Sequence, residues 1–407
     1  MISRPTGELW SRRTVPPATI AESPGILKVV QSMNIGITTM MSPAVSSAPA
    51  KAAETATSKI KVGLFLDKGC FGNGTLLWAR LLANSPQLEL TLLDGQDVRY
   101  GKLSEIQLLV CPGGGGSRQI DSMGPIGFER VKKFVENGGG YLGVCAGSYN
   151  AMNRPGRFAF LPYDYVDDAN GRLADLLVEV TEAGSSLLGL KAGRRIVCYD
   201  GGNVMRPTEP TGKGDSQILI TFKSCVSEHG RAPYNFMDTP AVVYGEYGKG
   251  KVVACSFHPE LYESTHCIAM GCIHALTGVR PVVAYPEKDV RPLRVGFLSE
   301  ACVGPQPARE LLDLDKKSNL DIDIFSTHEI NIGRLRHYDM VVMPDGDEAF
   351  YKGMMDREFN KNQFYDFLER GGRIVAAGSA GKHLPPHDNI QILSMGKGPL
   401  CAQIRLE

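Results

Sequence analysis

The stretch Gly138-Gly139-Gly140-Tyr141-Leu142-Gly143-Val144-Cys145-Ala146-Gly147 decides how this chain is read. The glycine run ends a helical segment, as a C-cap would. Tyr141 to Val144 then reads as a short buried strand. Gly143, Cys145 and Gly147 form a Gly-x-Cys-x-Gly turn out of that strand into a helix, the pattern of a nucleophile elbow. Such a turn holds its central residue strained at the carboxyl end of a strand, and the glycines remove Cβ atoms that would clash. Cysteine gains there, because the following helix N-terminus favours the thiolate and presents it to a crevice. The N–H of Ala146 would face a developing oxyanion.

Outward from the elbow, strand and helix patterns alternate. Strands are expected at Lys61 to Leu66, Leu88 to Leu93 and Gln107 to Cys111, with helices at Gly74 to Leu82 and Phe128 to Asn137. Alternation of this kind implies a parallel sheet covered on both faces. The third strand stops at Pro112 and the loop Gly113, Gly114, Gly115, Gly116. Glycines let backbone N–H groups approach a substrate, so Gly113, Gly114 and Gly115 are candidates for a second oxyanion donor; a plain tight turn is the alternative. Further strands are expected at Arg195 to Tyr199, Ala241 to Gly245 and Lys251 to Phe257, the last two joined by a hairpin at Gly248-Lys249-Gly250, and a helix at Thr265 to Leu276.

A thiolate needs a base. Phe257-His258-Pro259-Glu260 follows the last of these strands. With proline fixing the chain between them, His258 and Glu260 can face one site. Cys145 would be nucleophile, His258 general base and then acid, and Glu260 would orient the imidazole.

After Pro281 to Pro292, a proline-rich and charged linker, the chain echoes itself. Arg294 to Ser299 matches Lys61 to Leu66, Tyr338 to Gly346 matches the strand ending at Pro112-Gly113, and Phe367 to Val375 matches Phe134 to Leu142. Aligning Gly139-Gly140 with Gly371-Gly372 puts Ala377 opposite Cys145, and no His-Pro-Glu follows. A duplicated unit that has lost its nucleophile is the reading, serving as cover, dimerisation surface or binding module. The organisation expected is 1–58 a disordered or targeting lead-in, 59–280 the α/β domain with the Cys-His-Glu site, 281–292 the linker, and 293–407 a smaller, degenerate α/β repeat.

The residues Gly143-Val144-Cys145-Ala146-Gly147 with His258-Pro259-Glu260 resemble the class I glutamine amidotransferase superfamily. Cys145-Ala146-Gly147-Ser148-Tyr149, Cys111-Pro112-Gly113-Gly114-Gly115 and Tyr199-Asp200-Gly201-Gly202 look more like one branch, the amino-terminal domain of eukaryotic-type biotin–protein ligases. The resemblance covers roughly Lys61 to Gly278. It implies a three-layer, flavodoxin-like α/β fold and a crevice lined by Tyr149, Tyr199, Gly201 and Gly202; for Asp200 to Gly202 a hairpin turn is the alternative. Working glutaminases of the superfamily usually carry Gln or His directly after the elbow's second glycine, where this chain has Ser148-Tyr149. The chain has neither a Gly-Arg-Gly-Arg-type adenylate loop nor a Walker phosphate loop, so biotin ligation is not expected.

Composition bounds the rest. The 407 residues are 43% hydrophobic and 22% charged, with 44 basic and 44 acidic side chains and no net charge. No global field argues for nucleic acid or an anionic membrane. No apolar run approaches the roughly 18–20 residues of a spanning helix. The ten cysteines are irregularly spaced, several inside apolar runs (Cys111, Cys198, Cys255), which reads as buried free thiols. A reducing, cytoplasmic setting is expected; export through a weak amino-terminal signal is the alternative. His266, Cys267, Cys272 and His274 fit no usual zinc spacing, and neither metal nor cofactor is expected. His229 and His328 read as surface or loop residues. Two functions follow. One is a cysteine hydrolase working on a small-molecule or peptide amide or acyl substrate through a thioester. The other is a non-catalytic binding or regulatory module that keeps the fold. A homodimer is left open.

Overall fold

A computed structural model describes residues 58–165, 173–208, 216–225, 237–393 and 400–404. The expected lead-in up to residue 57, and His229, lie outside the described residues. From its start the described chain alternates β1 (Ile60–Phe65), α1 (Asn73–Ala83), β2 (Leu88–Leu93), α2 (Gly95–Tyr100), β3 (Leu108–Cys111), α3 (Gly116–Glu136), β4 (Gly140–Val144) and α4 (Ala146–Ala151). A strand-rich part follows: β5 (Tyr163–Tyr165), β6 (Ala174–Val180), α5 (Glu182–Leu188), β7 (Gly193–Tyr199), β8 (Met205–Pro207), β9 (Gln217–Phe222), β10 (Pro240–Tyr247), β11 (Gly250–Cys255) and α6 (His266–Thr277). Then come β12 (Leu293–Leu298), α7 (Pro305–Asp315), β13 (Leu320–Phe325), β14 (Met340–Met343), β15 (Arg373–Ala377) and β16 (Ile390–Leu393).

The first sheet has nine strands in the order β2-β1-β3-β4-β11-β10-β9-β6-β7. Its first five are parallel to one another; from β11 onward each neighbour is antiparallel. The β10–β11 hairpin turns where expected. Side-chain alternation splits the core into two layers. Val62, Leu64, Leu108, Val110, Leu142 and Val144 face the layer of α1 and α6, whereas Phe65, Leu109, Cys111 and Tyr141 face that of α3. This is a three-layer α/β fold whose parallel half is extended by an antiparallel one.

Helix α3 begins at Gly116, twelve residues before the helix that the sequence suggests, and is broken at Gly124, whose φ is 65° ahead of Pro125. Glycine and proline masked its first turns, because both depress helix propensity while fitting a kink.

The second sheet has five parallel strands in the order β13-β12-β14-β15-β16. β13, β12, β14 and β15 hold the places that β2, β1, β3 and β4 hold in the first sheet. Ladder partners set the correspondence one residue away from the sequence alignment. Val62 pairs with Leu108, and Leu108 with Gly140; Val295 pairs with Met340, and Met340 with Arg373. Gly139, lying under the Phe134 ring, therefore matches Gly372 under the Phe367 ring. Gly378, not Ala377, stands opposite Cys145. Both have positive φ, 52° and 49°.

Helix α1 joins the two sheets. Its sequence, Asn73-Gly74-Thr75-Leu76-Leu77-Trp78-Ala79-Arg80-Leu81-Leu82-Ala83, is apolar nearly all round, and seven of its eleven residues are buried, as befits a helix covered on both sides. One apolar cluster runs from Val62, Trp78 and Leu142 through Leu311 and Leu314 of α7 to Val295, Phe297 and Val342 of the second sheet. No helix among the described residues is long and apolar enough to cross a membrane.

Candidate active site

β4 delivers Cys145 at its carboxyl end with φ 49° and ψ −104°, a conformation that costs a non-glycine residue about 1–3 kcal/mol. The tightness of the turn explains its glycines. A Cβ on Gly143 would strike the backbone of Gly147, and one on Gly147 would strike the Cys111 carbonyl. The elbow is pinned by Cys145 N–H donating to Cys255 O at 2.8 Å. Helix α4 has only six residues, so its dipole is a small influence on the sulfur, and the unpaired N–H groups of its first turn matter more.

β11 leads to His258, whose N–H donates to Cys198 O at 2.9 Å. Its Nδ1 lies 2.7 Å from Glu260 Oε1, and the Cys145 sulfur is close enough to act electrostatically on the same imidazole. All three residues are buried: Cys145 is 5% exposed, His258 7% and Glu260 0%. Burial alone would push the imidazolium down; the Glu260 carboxylate and the Cys145 sulfur outweigh it and raise His258 well above the ordinary histidine range. The second carboxylate oxygen of Glu260 is buried without a hydrogen-bond partner among the described residues. The helix α1 closes over this pair: Gly74 is so close that a Cβ there would overlap Glu260 Oε1.

The glycine loop lies against the other side of the imidazole, with Gly113 facing His258 Cε1. Gly115 N–H donates to Gly69 O at 2.7 Å, and Gly114 bridges Cys70. Sequence reasoning missed what holds this loop. The fully buried Gln119 donates from Nε2 to Pro112 O at 2.9 Å, Asn150 Nδ2 donates to Gln119 Oε1 at 3.0 Å, and Arg157 Nη1 donates to Asn150 Oδ1 at 3.2 Å. The only sequence signal was position, since Gln119 and Asn150 sit in the first helices after the loop and after the elbow.

Asp200, Gly201 and Gly202 form a strap over the thiol. Three successive carbonyls accept from three side chains: Asp200 O from Cys145 Sγ at 3.5 Å, Gly201 O from Tyr149 Oη at 3.2 Å, and Gly202 O from Tyr199 Oη at 2.6 Å. Tyr199 is fully buried beneath the strap, whereas Tyr149 packs edge-on against Tyr165, over which Arg154 stacks at 4.2 Å. Ser148, at the position where glutaminases usually differ, donates to Asn203 Oδ1 at 2.9 Å and anchors the strap's far end. The residues singled out in the sequence therefore lie around the Cys145–His258 pair, with Ala146 beginning α4 beside the sulfur. A groove of about 1150 Å³ lies elsewhere, at the amino ends of the parallel strands, lined by Ile60, Ile106, Phe134 and Leu276.

A family model described as the amino-terminal part of biotin–protein ligase matches residues 103–156. An uncharacterized protein of Chlamydia muridarum is 33% identical over 94 residues, which is 22% of this chain and 36% of that protein. A biotin–protein ligase of Schizosaccharomyces pombe is 24% identical over 177 residues, 38% of this chain and 25% of that protein. The chain thus spans about a third or less of these curated relatives. Among solved structures, that of PurLQS from Thermotoga maritima covers 53% of this chain and 98% of its own at 15% identity and TM-score 0.40. A ThuA-like protein from Bacteroides uniformis covers 57% and 98% at 15% identity and TM-score 0.41. The segment 103–156, which holds both the glycine loop and the Cys145 elbow, is thus similar to the amino-terminal family of biotin–protein ligases.

Proposed function

We propose that this protein is an amidotransferase-like cysteine hydrolase acting on a small-molecule or peptide amide or acyl group. The observation that carries the reading is the buried group Cys145, His258 and Glu260, in which a 2.7 Å contact fixes the imidazole against the carboxylate within electrostatic reach of the sulfur. His258 takes the thiol proton as the sulfur attacks the carbonyl carbon. The N–H of Ala146 and one from the glycine loop hold the oxyanion. Collapse expels the leaving group, which receives its proton from His258, and leaves a thioester. Water then gives a proton to His258 as it attacks, releasing the acid and restoring the thiol. Residues 59–280 act as the reacting domain, 281–292 as linker, and 293–407 as a duplicated unit without a nucleophile.

The test is alkylation with a thiol probe followed by peptide mass spectrometry. Cys145 should react faster than the exposed Cys267 despite its burial, and His258→Ala should abolish that advantage. Equal rates, indifferent to His258, would remove the enzyme reading. The strap favours a second reading, because it covers the thiol and puts a carbonyl against it. In a binding module Cys145→Ala would leave ligand binding and cellular function intact.

A further inference from the structure

We infer that the five-stranded sheet acts as the buttress of the Glu260 carboxylate, through α1; this rests on the triad reading above. Two sets of contacts meet on that one helix. On its first turn, Gly74 lies directly against Glu260 Oε1, with the position of a missing Cβ only 3.3 Å from both Glu260 Cδ and His258 Nδ1. Among the described residues Glu260 has no hydrogen-bond partner at its other oxygen to fix it. Its placement over the imidazole is therefore set by packing, and α1 is what it packs on.

The helix α1 is in turn held by the second sheet and its helix α7, at its first residue, at Arg80 and at its end. At its first residue, Asn73 Oδ1 accepts from the hydroxyl of Ser299, which directly follows β12. Two turns on, Arg80 makes a paired contact with Asp315 of α7 (3.0 and 2.8 Å) and donates to Ile322 O of β13 at 2.9 Å. At the helix end Asn84 Nδ2 donates to the same Asp315 carboxylate at 3.2 Å, and Lys288 of the linker donates to Asp315 O at 2.6 Å. Asp315 is 2% exposed, so this is a fixed anchor rather than a surface ion pair. A helix tied at both ends and the middle cannot slide along its axis without breaking a buried polar contact. The sheet that lacks a nucleophile thus acts on the one that has it, and Ser299, Asn73, Arg80 and Asp315 are positioning residues.

The experiment measures Cys145 alkylation against pH in the full chain, where the titratable groups facing His258 are Cys145, Glu260 and Cys198. Ser299→Ala and, from the other side of the same bond, Asn73→Ala should each slow Cys145 labelling about three- to tenfold, the weight of one ordinary hydrogen bond. Each should also displace the pH profile, and Ser299→Thr should restore both. In a Glu260→Gln background neither should have any further effect, because the route runs through that carboxylate. Equal slowing in the two backgrounds, or an unshifted profile, overturns the inference. Asn73 is only half-buried, so its variant serves if Ser299→Ala does not fold. If wild type and Glu260→Gln label alike, the triad reading has failed and not the buttress alone.

Discussion

Replacing Gly74 by alanine puts a methyl group where Glu260 Oε1 now lies. The added Cβ falls well inside 3.0 Å of that oxygen, nearer than real Cβ atoms come to non-bonded neighbours, where ordinary contact is 3.4–4 Å. One partner must retreat by about an ångström. α1 is anchored to Asp315 and Ser299 and resists, so the carboxylate moves, and its 2.7 Å contact with His258 Nδ1 opens beyond hydrogen-bond range. A charge-assisted hydrogen bond is worth about 1.5–3 kcal/mol, which corresponds to roughly a 10- to 100-fold loss in the rate at which Cys145 is alkylated near neutral pH. Stability should fall as well, because the opened His258–Glu260 contact also contributes to the fold. Overpacking costs about 1–3 kcal/mol, while exchanging glycine for alanine in a helix returns up to about 1 kcal/mol. The variant should remain folded, with a modestly lower Tm. The assay is the pseudo-first-order alkylation rate of the Cys145 peptide, read beside a thermal melt. A Gly74→Ala protein that labels Cys145 within twofold of wild type, at an unchanged Tm, would refute the steric reasoning.

Glu260→Gln tests the electrostatics. Because the folded pKa of His258 is raised, its pairing stabilises the fold fully below the unfolded value near 6.5 and loses that contribution as pH rises through the folded value. The gap in denaturation midpoint between wild type and variant should therefore be widest near pH 6 and narrow towards alkaline pH; a gap that widens instead contradicts the assignment. Tyr149→Phe removes the donor to Gly201 O, at about 0.5–1.5 kcal/mol, and frees the strap. It should raise Cys145 labelling by a bulky maleimide more than by iodoacetamide, and an unchanged ratio would show that the strap is no barrier. Gly378→Cys should yield no second reactive thiol. Its Cβ would collide with Asp345 Oδ1, so the variant should lose about 1–3 kcal/mol in chemical denaturation and label no faster than Cys267.

The grouping of Cys145 with His258 and Glu260 was legible in the sequence because each part of it is local. Gly143 to Gly147 and His258 to Glu260 each carry their geometry within a few residues, and strand β11 brings the second beside the first. The parallel half of the large sheet was legible for a similar reason, since fully buried strands such as Leu108–Cys111 are uninterrupted apolar runs. β6 and β9 are absent from the sequence reading, although Ala174–Val180 alternates buried with less buried residues and follows the turn pair Asn170-Gly171. The one-residue error opposite Cys145 came from matching a glycine pair inside the run Gly138 to Gly140, where identity cannot choose a register and ladder partners can. The contacts around Glu260 and along α1 were invisible, because they join residues far apart in the chain: Gly74 to Glu260, Arg80 to Asp315. No periodicity encodes them; they exist only once both faces of α1 are covered.

That double covering has a consequence for how the chain is made. Synthesis runs from the amino end, and domains begin to fold as they emerge. The elbow, the His258-Pro259-Glu260 turn and α1 all leave the ribosome before Leu293 begins the second sheet. Through that interval the nascent chain holds its thiol and its base while one flank of α1, with the polar groups of Arg80 and Asn73, has nothing to meet. The chain from Leu293 onward comes last, a late keystone on the inferred buttress role, since the contacts of α1 with Ser299, Asp315 and Ile322 can form only once it is made.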